Sequence, residues 1–143
     1  MVADQTTDGV RIAQLLASEI TGDGDRLRDA VVSDADPDVK PTPDGTLAYR
    51  VRLADGEGGE EGGDDGDDVL AEVFVHPERA RVEFVADPDA AATAAEGAGL
   101  RVRPKAVRPP RTVVFVEDGA QVKHVLPAFY AVVSGDSGAD GAA

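Results

Sequence analysis

The stretch VLAEVFVHPERARVEF, residues 69–84, decides the fold. Val69, Ala71, Val73 and Val75 alternate with Leu70, Glu72, Phe74 and His76, which is the period of a strand with one buried face. His76-Pro77-Glu78 breaks the pattern, because proline fixes φ and has no N–H to give to a ladder. Beyond the break, Ala80, Val82 and Phe84 alternate with Arg79, Arg81 and Glu83. Two strands joined this tightly are antiparallel, and the expected register sets Glu72 opposite Arg81.

Upstream, Leu47-Ala48-Tyr49-Arg50-Val51-Arg52-Leu53 repeats the design. Leu47, Tyr49, Val51 and Leu53 are expected on one face and Arg50 and Arg52 on the other. Between the two segments lies ADGEGGEEGGDDGDD, residues 54–68, with eight acids and no cation. It holds no large apolar side chain to offset an ordering entropy of about 1–2 kcal/mol per residue, so a flexible loop is expected. Repeated acids with glycine could hold calcium weakly, but plain solvation is the simpler expectation.

Helices flank this sheet core in the pattern. Ile12, Leu15, Leu16 and Ile20 recur at helical spacing over about residues 8–21, with Thr7 or Asp8 as cap and Gly22 after the end. Val31 and Val32 predict a short strand, and Pro37, Pro41 and Pro43 keep the next connection extended up to a turn at Asp44-Gly45. Residues 87–97 predict an alanine-rich helix capped by Asp87, with Pro88 in its first turn. Residues 100–105 and 112–116 predict two further strands. Over residues 118–134, Val122, Val125, Leu126, Phe129 and Val133 fall on one helical face behind a cap at Asp118 and Gln121. Pro127 interrupts that face, so either a kinked helix or a third hairpin turning at Asp118-Gly119 is expected.

The order of elements predicts a two-layer α+β domain over residues 7–134, a mainly antiparallel sheet with two or three helices packed on one face. Residues 1–6 and 135–143 are expected to be disordered. At 143 residues the chain suits one core. Valine, with 20 copies against 8 leucines, supports the strand-rich reading.

The formal charge is −14, from 28 acids and 14 cations, and arginine outnumbers lysine 11 to 3. This texture predicts adaptation to very high intracellular salt, where the Debye length is only ~3 Å and dense carboxylates scarcely repel one another. No basic leader with an apolar core opens the sequence and no run approaches a membrane span, so a cytoplasmic protein with no membrane partner is expected. The absence of cysteine excludes disulfides and thiolate chemistry.

Against that background LRVRPKAVRPPR, residues 100–111, carries five cations and no acid. Leu100 and Val102 alternate with Arg101, Arg103 and Lys105, the same arrangement as Arg50 with Arg52 and Arg79 with Arg81. Seven cations are thus expected on the sheet face that the helices leave open, with Phe74 beside them. Pro104, Pro109 and Pro110 place Arg108 and Arg111 in an extended connector instead of a ladder.

Three uses of that face compete. Docking an acidic protein or a second copy of the chain, as a homodimer, suits the weakly hydrated, bidentate guanidinium. Nucleic-acid binding, to RNA or a single strand or another anionic ligand, is the alternative, but five phosphate contacts imply a log–log salt slope of about −4.5, a heavy loss at molar salt. In the third, arginine stems cover apolar sheet surface and pair with Glu72 and Glu83. His76 and His124 read as packing or surface residues. No phosphate-binding glycine loop, nucleophile elbow or His-Glu-x-x-His occurs, so no catalysis, cofactor or metal is expected. Asp34-Ala35-Asp36-Pro37-Asp38 opens like a calcium loop but lacks the required glycine and glutamate.

Overall fold

A computed structural model of the chain describes residues 8–24, 27, 29–53, 69–107 and 110–134. The sequence expectations for residues 1–6, 54–68, 108 and 135–143 lie outside these. α1 (Gly9–Gly22) is followed by β1 (Ala30–Ser33), which starts eight positions after the helix ends, and then by β2 (Thr46–Leu53), β3 (Val69–Val75) and β4 (Ala80–Phe84). After α2 (Pro88–Gly97) come β5 (Arg101–Lys105), β6 (Arg111–Val116), a 3-10 turn at Gly119–Gln121 and α3 (Val122–Ser134). The strands form one six-stranded sheet in the order β1-β2-β3-β4-β6-β5, and every neighbouring pair is antiparallel. The fold is α+β, with the helices on one side of the sheet.

The alternation read from the sequence builds the core. Val51, Val73, Val75, Val82, Val114 and Val116 turn to the helix side and are fully buried. Ile12, Leu16 and Ile20 of α1 meet them, and α3 lies between α1 and α2, with Phe129 set edge-on to Phe84 at 4.9 Å between ring centres. Asp8 is the cap of α1, its carboxylate accepting from the Val10 and Arg11 N–H groups. Asp87 takes the cap position of α2 in a left-handed conformation, φ 48°, and its side chain makes no capping hydrogen bond. The expected side-chain cap there is therefore corrected, and Pro88 sets the first turn instead.

Residues 122–134 form a helix and not a hairpin. Asp118 accepts from the Gln121 N–H, and the Gln121 amide oxygen accepts from the Glu117 N–H, which starts the turn. The helix runs through Pro127. The carbonyl left without its N–H donor belongs to Lys123, an exposed residue, so water can serve it.

Two register details differ from the sequence expectation. In the β3–β4 hairpin the His76 N–H donates to the Arg79 carbonyl, leaving Pro77-Glu78 as a two-residue loop. Phe74 then faces Arg81 and Glu72 faces Glu83, two residues away from the expected Glu72–Arg81 pairing. In β2 a bulge falls between Leu47 and Tyr49. Leu47 pairs with Phe74 on the open side, while Ala48 and Tyr49 are both buried. The expected single face of Leu47, Tyr49, Val51 and Leu53 is thereby broken, and Leu53 is exposed.

The start of α1 is jammed against the β3–β4 loop. The Gly9 N–H donates to the Pro77 carbonyl, and a Cβ at Gly9 would run into the backbone carbonyls of His76 and Arg79. Both obstacles are main chain, so they cannot swing aside. Gly9→Ala is expected to cost at least about 1–3 kcal/mol in chemical denaturation. A variant as stable as the parent would mean that α1 does not seat on this loop.

Candidate functional site

The face without helices presents side chains in rows across the strands, which lie ~4.8 Å apart. One row runs Leu47, Phe74, Arg81, Phe115, Arg101; the next runs Arg50, Glu72, Glu83, Val113, Arg103. Lys105 pairs with Arg111 beyond them. Arg50, Arg81 and Arg101, from three different strands, therefore share one face, as their alternation predicts. Arg111 joins them. Its expected place in a connector is corrected, because it opens β6 and lies in the ladder.

Glu83 is the hub. It is 1% exposed and accepts from Arg81 Nε at 2.7 Å, Arg111 at 2.8 Å and Lys105 Nζ at 3.1 Å. Two carboxylates directly opposite on paired strands would repel. Arg111 resolves this by reaching both, donating to Glu72 Oε1 at 2.8 Å as well. Glu72 also accepts from Arg50 Nε at 2.9 Å, and Arg50 and Arg52 share Asp34 at the sheet edge. Burial pushes the Glu72 and Glu83 carboxyls up, but the donated hydrogen bonds outweigh it and hold both below the usual carboxylate range. At Asp34 the bond from Arg52 lowers the carboxyl.

A second node sits at the hairpin end. His76 is buried, with Nδ1 at 3.0 Å from the Pro43 carbonyl and Nε2 at 3.0 Å from Arg81 Nη1. A carbonyl only accepts and a guanidinium only donates, so the ring is neutral with its proton on Nδ1. Arg81 Nη1 donates to the Asp44 carbonyl too, and Gly45, at φ 96°, leaves the space for it. Burial is the main cause holding His76 below its ordinary value, with Arg79 and Arg81 adding to it. Its unfolded form takes up a proton near pH ~6.5, whereas the folded form resists until lower pH, so stability is complete above that value and falls on acidification. The unfolding midpoint is expected to drop between about pH 6.5 and the depressed folded value, and this slope to vanish in His76→Gln. An unchanged slope in the variant would place that titration elsewhere.

Aromatic rings lie under three of the cations. The Arg81 guanidinium lies 4.3 Å from the Phe74 ring centre, and Arg101 and Arg79 lie 5.2 and 5.4 Å from that of Phe115. Arg101 is also paired with Glu117 but remains 63% exposed. Arg79 Nε is buried without a hydrogen-bond partner. Arg103 is exposed and makes no ion pair among the described residues. Of the ten sequence candidates, Arg50, Arg52, Phe74, Arg79, Arg81, Arg101, Arg103, Lys105 and Arg111 come together on this face, and Arg108 lies outside the described residues.

The face thus gathers Arg50, Arg52, Arg79, Arg81, Arg101, Arg103, Lys105 and Arg111 against Asp34, Glu72, Glu83 and Glu117, eight cations to four acids. The remaining chain holds six cations and twenty-four acids. In the sequence Glu83 reads only as one pairing partner of the arginines and His76 only as a packing or surface residue, and Phe115 is not singled out. Phe115 has a signal, since it shares the open side with Val113 and Arg111 and alternates with the buried Val114 and Val116; the roles of the other two depend on the register of a hairpin turn. Among the described residues no group of acids and histidines is placed to hold a metal ion. No helix of the described residues is long and apolar enough to cross a membrane. No curated protein and no solved structure matches the chain. One family model does, over residues 1–142, and the chain therefore belongs to DUF7993, a family of unknown function.

Proposed function

We propose that the chain is a non-catalytic interaction module that docks an acidic protein surface on the β5–β6 end of its open sheet face, in a cytoplasm of high salt. The observation carrying this reading is the net-positive face, eight cations to four acids, on a chain of charge −14. Within it the cations divide. Those around Glu72 and Glu83 are committed to internal carboxylates, while Arg79, Arg101 and Arg103 keep donors directed at no carboxylate or only at the rim. Guanidinium groups stacked on Phe115 are held in place before a partner arrives, which lowers the ordering cost of binding.

A second copy meeting this face with the same face would set positive against positive. An acidic surface is the better match, and copies of this chain could supply one only head to tail. Nucleic acid fits less well. The guanidinium of Arg81 already covers one side of the Phe74 ring, the base-stacking platform that reading needs, and most cations are neutralised from within.

Chromatography at the lowest salt that keeps the chain folded separates the readings. Retention on immobilised polyglutamate, reduced in the Arg101→Gln/Arg103→Gln variant, is expected. Retention on single-stranded RNA alone, lost in the same variant, would favour the anionic nucleic-acid ligand instead.

A further inference from the structure

A cavity of about 430 Å³ lies on the helix side at the β1 end of the sheet, between α1 and the β1–β2 connection. This falls within the ~300–1,000 Å³ of small-molecule sites. The space exists because its walls carry methyl groups where larger side chains would fill it. Ala13 and Ala17 stand one turn apart on α1, and the β2 bulge turns Ala48 inward beside Tyr49. Val32 and Val39 line the side formed by β1 and the connection.

The wall is largely apolar, with Gln14 its one uncharged amide side chain, at an exposed position of α1. The Tyr49 hydroxyl donates to the Ala13 carbonyl at 2.7 Å, so it asks nothing of a ligand. Asp36 is the one charged side chain lining the cavity, and it is exposed at the mouth. The backbone fixes it there. Its N–H donates to the Ala48 carbonyl at 3.0 Å, its carbonyl accepts from the Val39 N–H at 3.1 Å, and its Oδ1 accepts from the Asp38 N–H at 2.9 Å. Oδ2 has no partner among the described residues. A positioned carboxylate at the mouth of a largely apolar cavity selects a particular ligand chemistry.

We propose that this cavity binds a small amphiphilic cation, with an unbranched alkyl or aryl body seated between α1 and β2 and an ammonium head on the Asp36 carboxylate. The inference is independent of the sheet-face reading, since the cavity lies on the opposite side of the sheet. Anionic amphiphiles of the same body are excluded by the same carboxylate and by the acidic surface around it.

The test is a two-dimensional NMR titration at molar potassium chloride with hexylamine and hexanoate, two bodies of equal chain length and opposite head charge. Hexylamine is expected to shift the Val10, Val32 and Val39 resonances saturably, and hexanoate to bind at least roughly fivefold more weakly. Asp36→Asn should erase most of that preference. Ala17→Leu should abolish saturation, and Ala35→Leu, at an exposed lining position, fills the mouth should the first variant not fold. Hexylamine that does not saturate, saturation that survives both leucine variants, or a preference unchanged in Asp36→Asn would each overturn the assignment.

Discussion

Glu83→Gln is expected to destabilise the fold by about 3–5 kcal/mol, the cost of leaving buried charge without its counter-charge. The carboxylate is 1% exposed and receives donors from Arg81, Arg111 and Lys105, none of which has another buried acid except Glu72 to turn to. Glutamine keeps the shape and one acceptor oxygen but removes the charge. The cations would then face Glu72 alone, with Arg111 and Arg50 already on it. Glu117→Gln is the matched control, because its partner Arg101 is largely in solvent and such pairs contribute within about 0.5 kcal/mol. Denaturant midpoints for the two variants decide the matter. If Glu83→Gln costs no more than Glu117→Gln, the carboxylate is not the hub. Acid should imitate the substitution. Because the folded carboxyls of Glu72 and Glu83 titrate below the unfolded value of about 4.3, their contribution is complete above that pH and is lost as pH falls through the depressed folded values.

Removing salt is expected to have the larger effect, loss of the fold itself. Outside the sheet face, twenty-four acids stand against six cations. At 1 M salt the Debye length of ~3 Å hides these charges from one another, whereas at 0.01 M it reaches ~30 Å, about the width of the domain. Self-repulsion then opposes compactness. The core gives limited resistance, being made largely of valine and alanine, which bury little area per residue. Far-ultraviolet circular dichroism during dialysis from molar potassium chloride to about 10 mM should show the helical signal disappear. A spectrum that does not change would remove salt adaptation from the account.

The strands and their inward faces were legible because alternation is a local property. Val73, Val75, Val82, Val114 and Val116 needed only their neighbours to be assigned. α1 was equally plain, with Asp8, Ile12, Leu16 and Ile20 at the right spacing. The arginine face was legible for the same reason, as Arg50, Arg81 and Arg101 each alternate with core residues. What was hidden depends on relations between distant segments. The Pro77-Glu78 loop moves the register by two residues, which turns an expected Glu72–Arg81 pair into opposed carboxylates. No local rule would place Glu72 beside Glu83, since like charges there repel. The answer comes from Arg111, a residue 28 positions beyond Glu83 on a strand that reaches β4 only after α2 and β5. The α3 segment was ambiguous for a different reason. Pro127 weakens a helix wherever it falls, and only packing of Val125, Leu126 and Phe129 against the sheet outweighs it. The β2 bulge carries no sequence mark either, yet it creates both the broken alternation at Ala48 and the cavity beside α1.

The most direct test of the central claim, that the cation-bearing sheet face is a contact surface for acid, is to map where an acidic polypeptide touches the folded chain. Amide resonances followed during titration with a glutamate-rich peptide should move at Arg101, Arg103, Phe115 and Arg79, and stay still along α1, α2 and α3. Shifts confined to the helices, or none at concentrations where the fold is intact, would contradict it.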